Sequence, residues 1–159
     1  MTDTASQDRQ AIVVDEVFSH SREVVWKTLT NGDLIGRWLM APNGFKPVVG
    51  SQFTFQTRPA GEWDGTIHCE VLEVVENERL SYAWRGGHAG NEGYGSKLET
   101  VVTFILSSLE TGTRLRLIHS GFQRPTNDTA YQNMSEGWKK VVKKLDTVIA
   151  EEASSTTFH

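Results

Sequence analysis

The sequence is short of several things that define whole classes of protein. It has one cysteine, Cys69, and a lone thiol excludes both an internal disulfide and a cysteine-based zinc cluster. His20, His68, His88 and His119 show no HxxxH spacing, and Cys69 has no CxxC partner, so neither a metal nor a cofactor is expected. No apolar run approaches the ~20 residues that cross a bilayer, and the N-terminal MTDTASQDRQ lacks the apolar segment of a secretory signal. The expectation is a cytoplasmic protein with no membrane insertion. Net charge is small, −4, with a pI of about 5.7, which speaks against nucleic acid as a partner. Neither GxxxxGK[ST] nor GxGxxG occurs, and no paired carboxylates or catalytic triad stand out.

What the chain does have is an ordinary globular balance, 38% hydrophobic and 23% charged over 159 residues, and an uneven stock of aromatics: five Trp, seven Phe and three Tyr. One domain of this size buries a substantial core. The rings either fill that core or line something hollow.

Residues 1–10 are polar and read as a flexible N-terminus, 11–150 as the single domain, and 151–159 as a flexible tail. AIVVDEVF is rich in β-branched residues and predicts a strand. Ser19 and Ser21 offer helix caps before SREVVWKTLT, Asn31-Gly32 breaks that helix, and Asp33 is placed to cap a second short one, DLIGRWLM. Strict alternation then marks strands in SQFTFQT, GTIHCEVLEVV, RLSYAW, KLETVVTFIL and TRLRLIH. Glu110-Thr-Gly112 joins the last two as a hairpin. From Tyr131 to about Glu151 the period changes: Met134, Trp138, Val141, Leu145 and Val148 form one face of a long helix. Strands that alternate need one covered face, and only this helix is long enough to cover it. The class is α+β with segregated elements, not a wound parallel sheet.

EVFSHSREVVWKTLT followed by GRWL, then GFKPVVGSQFTF, GTIHCEVLEVVENERLSYAW, TRLRLIHSGF and EGWKKVVKKL, taken in that order over residues 11–150, resemble the START-like (SRPBCC) superfamily. Within it, the series is similar to the family of the C-terminal domain of the Hsp90 ATPase activator. The resemblance implies a helix-grip (START/Bet v 1-like) fold: a curved antiparallel sheet of about six strands wrapped around a long C-terminal helix, with two short helices after the first strand and a pocket between sheet and helix. The eukaryotic activator carries a further domain for which this chain has no room, so Hsp90 stimulation is not carried over with the fold.

Strand parity turns Phe53, Phe55, Tyr82, Trp84, Phe104, Leu117 and His119 toward one interior, where Met134 and Trp138 of the helix and Trp38 of the GRWL segment meet them. Such a set lines a site for a small hydrophobic or aromatic molecule, or else packs solid. Three functions follow. The first is binding of such a molecule without a defined reaction. The second is a cyclase-, hydrolase- or isomerase-type enzyme with His119 and Tyr82 as acid–base groups. The third is a chaperone-associated or regulatory interaction module, with Hsp90 as the partner to test and a homodimer left open. The glycine-rich run Gly86–Lys97 reads either as a plain hairpin loop or as a lid whose His88 or Tyr94 touches ligand.

Overall fold

Alternation decides which side of each strand is sealed. In β6 (Gly112–Gln123) Leu115, Leu117 and His119 are buried while Arg114 and Arg116 lie in solvent. The same parity buries Phe53 and Phe55 in β2 (Gln52–Gln56), Ile67, Cys69 and Val71 in β3 (Thr66–Val75), and Val102, Phe104 and Leu106 in β5 (Leu98–Leu109). In β4 (Arg79–Gly86) Leu80, Tyr82 and Trp84 face the core, and Ser81 and Ala83 between them are buried as well. With β1 (Arg9–Phe18) these strands form one antiparallel sheet in the order β1-β6-β5-β4-β3-β2. The computed structural model describes residues 9–157, so the expected flexible segment 1–10 lies outside the described residues save for Arg9 and Gln10, which belong to β1.

Two bulges bend the sheet and reset its parity. Gly121 is skipped in the pairing of β1 with β6, since Ala11 faces Ser120 and Gln10 faces Phe122. Its φ of +103° suits glycine, and a Cβ there would press on the Glu99 carbonyl at 3.1 Å. Strict alternation from His119 would turn Phe122 outward; the bulge turns it in, fully buried and 4.6 Å from the His119 ring. Leu72 is the extra residue of β3, so Val74 packs on the core.

The helices follow their caps. Ser21 caps α1 (Arg22–Thr30) by accepting from Val24 N–H. The cap of α2 (Gly32–Trp38) is Asn31, whose Oδ1 accepts from Leu34 N–H at 3.2 Å, and not Asp33 as expected. The extended backbone that ends α1 at Asn31 leaves its carboxamide beside the free N–H groups, while Asp33 falls inside the first turn and complements the helix dipole. The last helix, α3 (Asp128–Thr157), crosses β1 and β6 and packs on α1 and α2. Trp138, Val142, Leu145, Val148 and Ile149 are its sealed stripe. It runs on through residues 151–157, past the expected domain end at residue 150. At the start of this stretch Glu152 pairs with Lys27 at 3.3 Å and with Arg37 at 3.4 Å, and Glu151 with Arg37. They tie this last stretch to α1 and α2.

Between sheet and helix the aromatic rings form a continuous chain. Phe45 meets Phe53 at 5.0 Å, Phe53 meets Tyr82 at 5.2 Å, and Tyr82 meets Phe104 at 5.9 Å. Phe104 then reaches Trp38 at 6.0 Å and Trp138 at 6.3 Å. Most contacts are edge-on, the favoured arrangement for ring quadrupoles.

Candidate ligand-binding cavity

The rings fill one end of the interior; the other end is hollow. A cavity of about 220 Å³ opens where the N-terminal half of α3 stands off the sheet. Its α3 wall is Ala130, Met134, Gly137, Trp138 and Val141, which recur at helical spacing, with the polar Asn133 beside them. The sheet supplies Ile67 of β3, Trp84 and Gly86 of β4, and Leu98 of β5. Leu39 and Met40, just past α2, close one side, and Thr57, Trp63, Tyr94 and Gly95 close the other. None of the described side chains that line it carries a charge. An unpaired charge taken from water into such a lining would be strongly disfavoured.

Gly137 is what keeps the helix side open. A Cβ built on it meets no atom within 4 Å, although the residue sits between Met134 and Trp138 on the apolar stripe. Glycine in a helix interior costs roughly 0.5–1 kcal/mol relative to alanine, so the space is bought with stability.

The mouth is held by side-chain amides. Asn91 Nδ2 donates to the carbonyls of Ala60 at 2.7 Å and Gly95 at 3.2 Å, clasping the β4–β5 loop to the β2–β3 connection. Tyr94 strengthens the clasp by donating its hydroxyl to the Arg58 carbonyl at 2.7 Å. Asn127, sealed before α3, donates to the Lys97 carbonyl at 2.9 Å and to Ser96 Oγ at 3.1 Å, and accepts from Gln123 N–H at 2.9 Å. His88 does not line the cavity; its Nδ1 accepts from Gly90 N–H within its own loop.

Of the residues that sequence parity assigned to a cavity wall, Trp84, Met134 and Trp138 line the cavity. Trp38, Phe53, Phe55, Tyr82, Phe104, Leu117 and His119 are instead packed in the core beside it. Parity reports the buried face of a strand but not where that face parts from the helix. Leu39, Met40, Trp63 and Leu98 escaped the sequence reading because they come from element ends and loops. Gly137, a glycine on the apolar stripe of a helix, was the signal available for the hollow.

His119 is closed on both ring nitrogens. Trp138 Nε1–H donates to Nδ1 at 3.0 Å, which fixes the proton on Nε2. That nitrogen then donates to Thr100 Oγ1 at 2.7 Å, and Thr100 passes its own hydrogen to the Trp84 carbonyl at 2.9 Å. Burial pushes the imidazole down to about 3, so it is neutral at ordinary pH. Tyr82 does not reach it. Val102 lies between them in register, which puts them two strand spacings apart, roughly 10 Å. Burial holds the Tyr82 phenol well above its ordinary value and raises the Cys69 thiol to about 12. The acid–base pairing of His119 with Tyr82 is therefore not assembled. Among the described residues no cluster of three or more His, Cys, Asp or Glu could hold a metal, and no helix is long and apolar enough to cross a membrane.

Trp84 is the exception to this polar closure. The indole N–H groups of Trp38, Trp63 and Trp138 find acceptors in the Thr28 carbonyl, the Thr66 carbonyl and His119. Trp84 Nε1 is buried without one, and such an orphan costs about 1–3 kcal/mol.

A curved six-stranded antiparallel sheet gripping a long C-terminal helix, with an apolar hollow between them, defines a helix-grip protein of START-like type. The comparisons agree. Residues 19–150 match the family described as Activator of Hsp90 ATPase homolog 1-like protein, and the chain belongs to that family. Protein MLL2253 from Mesorhizobium loti shares 37% identity at a TM-score of 0.76, over 89% of this chain and 98% of its own. CalU16 from Micromonospora echinospora matches at 22% identity and a TM-score of 0.69, over 92% and 80%. The Aha1 dimer from Colwellia psychrerythraea matches at 23% identity and a TM-score of 0.65, over 88% and 96%. A search of curated proteins returns no significant match.

Proposed function

We propose that the protein binds a small, neutral, apolar or aromatic molecule in the cavity between α3, the β4–β5 loop and the end of α2. The observation that carries this reading is the wall itself: an uncharged lining around about 220 Å³ with Gly137 where a side chain would otherwise fill the space. A dry apolar cavity of about 150 Å³ accommodates benzene, so this one suits a molecule of one or two rings. Trp63, Trp84 and Trp138 offer ring faces and edges on different sides.

A ligand that binds only the folded chain raises its melting temperature with concentration. Naphthalene is the probe of choice, and the expected result is a saturable rise in Tm. No shift up to the solubility limit would overturn the reading. The homodimer and Hsp90 expectations are supported by the family relation, the Colwellia protein being described as a dimer. Size-exclusion chromatography at micromolar concentration, with and without the host's Hsp90, tests both.

A further inference from the structure

We propose that the cavity's ligand is not a plain hydrocarbon: it carries one hydrogen-bond acceptor, such as a ketone oxygen, that pairs with the indole N–H of Trp84. This inference rests on the ligand-binding reading and adds to it the chemistry of the ligand.

The geometry points to Trp84 by elimination among the buried donors of the wall, the Asn133 carboxamide on the same lining being exposed. The cavity wall contains three indoles, and those of Trp63 and Trp138 already donate to protein acceptors at 2.9 Å and 3.0 Å. Trp84 is 3% exposed, its ring is part of the wall, and its Nε1 has no partner. Its neighbours explain why the protein offers none. The ring is packed by Phe55 at 5.5 Å, His119 at 5.4 Å and Trp138 at 5.9 Å. Of these, only His119 has acceptor capacity, and its ring nitrogens are engaged by Trp138 and Thr100. Buried indoles ordinarily find a partner, so an unpaired one in the wall of a hollow is a donor held for whatever enters.

The same features define the acceptor. The lining holds no cation to balance a carboxylate or phosphate, so the acceptor is neutral. Nε1 itself has almost no accessible surface, so an acceptor reaches it by displacing side chains of the lining as the ligand enters. The ligand class is a compact, neutral, aromatic molecule with a single carbonyl-type oxygen.

The test pairs 1-indanone with indane, which have the same fused-ring frame and differ by the ketone. Their affinities are measured calorimetrically for wild type and Trp84→Phe. One neutral hydrogen bond corresponds to roughly a fivefold to tenfold change in affinity. The ratio of indanone to indane affinity is therefore expected to fall by that factor in the variant. The wild-type chain gives a second readout that needs no substitution: indanone, but not indane, should move the Trp84 indole ¹H–¹⁵N resonance downfield. If both probes bind with a ratio unchanged by Trp84→Phe, or if neither moves that resonance selectively, the acceptor is refuted while the cavity stands. If neither probe binds wild type, the ligand-binding reading fails and this inference fails with it.

Discussion

Because His119 is neutral and closed on both nitrogens, acid acts on it through stability. Its pKa is about 3 in the folded chain against 6.5 for the exposed group. Between those values the unfolded chain takes up a proton that the folded chain refuses. The stability contributed by the neutral ring is thus complete above about pH 6.5 and is lost as pH falls toward 3, by at most about 1.4 kcal/mol per pH unit. His119→Gln keeps an acceptor for Trp138 and a donor for Thr100 but cannot titrate. Urea unfolding from about pH 7 to 4 should give the variant a shallower decline in ΔG than wild type; parallel declines would show that His119 does not stay neutral. Gly137 is the second residue whose role is testable alone. Gly137→Ala should stabilise the chain by about 0.5–1 kcal/mol through helix propensity, equivalent to a rise of roughly 1–4 °C in Tm. A loss of stability would mean that the site lacks the open space around Gly137.

At the scale of elements, the β4–β5 loop is tied to the rest of the fold through Asn91, Tyr94 and Asn127. Asn91→Ala removes the bonds to Ala60 and Gly95 without touching the core. Hydrogen exchange at His88 N–H, which donates to the Gly95 carbonyl, should accelerate by an order of magnitude, while amides of β6 stay protected. Equal protection before and after would show that Tyr94 and Asn127 suffice. These clamps also mark the limit of what the sequence could disclose. Strand parity in β2 to β6 and the helical period from Met134 to Val148 were legible because each depends on neighbours two to four positions away. Asn91 and Ala60, or Asn127 and Lys97, are joined only by the fold, and nothing local in the sequence marks the pairs. The bulges at Leu72 and Gly121 were hidden for the same reason, since an extra residue shows only against its partner strand. Hence Phe122, outward by simple counting, lies against His119, and Glu152, assigned to a tail, holds α3 to α1 and α2.

For the whole molecule, the division of the interior into a packed end and a hollow end matters most. The chain of rings from Phe45 to Trp138 and the closed His119–Thr100 network make the packed end rigid. They supply a fixed wall, so on the proposed reading a ligand would meet a preformed site and need little ordering to bind. Leaving the other end unfilled forgoes burial worth on the order of a few kcal/mol, with the unpaired Trp84 N–H and the helical Gly137 as further concessions. All three fall in one place, the cavity wall. Sites that sacrifice stability in this way are characteristically functional. Family membership establishes the scaffold, and any function has to be argued from the lining of this hollow.

The most direct measurement is a calorimetric titration of naphthalene into wild type and into Gly137→Leu, with the fold of each verified by far-ultraviolet circular dichroism. A leucine at 137 fills the cavity from the helix side and improves helix propensity, so the variant should remain folded. The expected result is saturable one-to-one binding by wild type and a loss of at least tenfold in affinity for the variant. Equal affinity in both chains, or no binding to wild type, would contradict a ligand site between the sheet and α3.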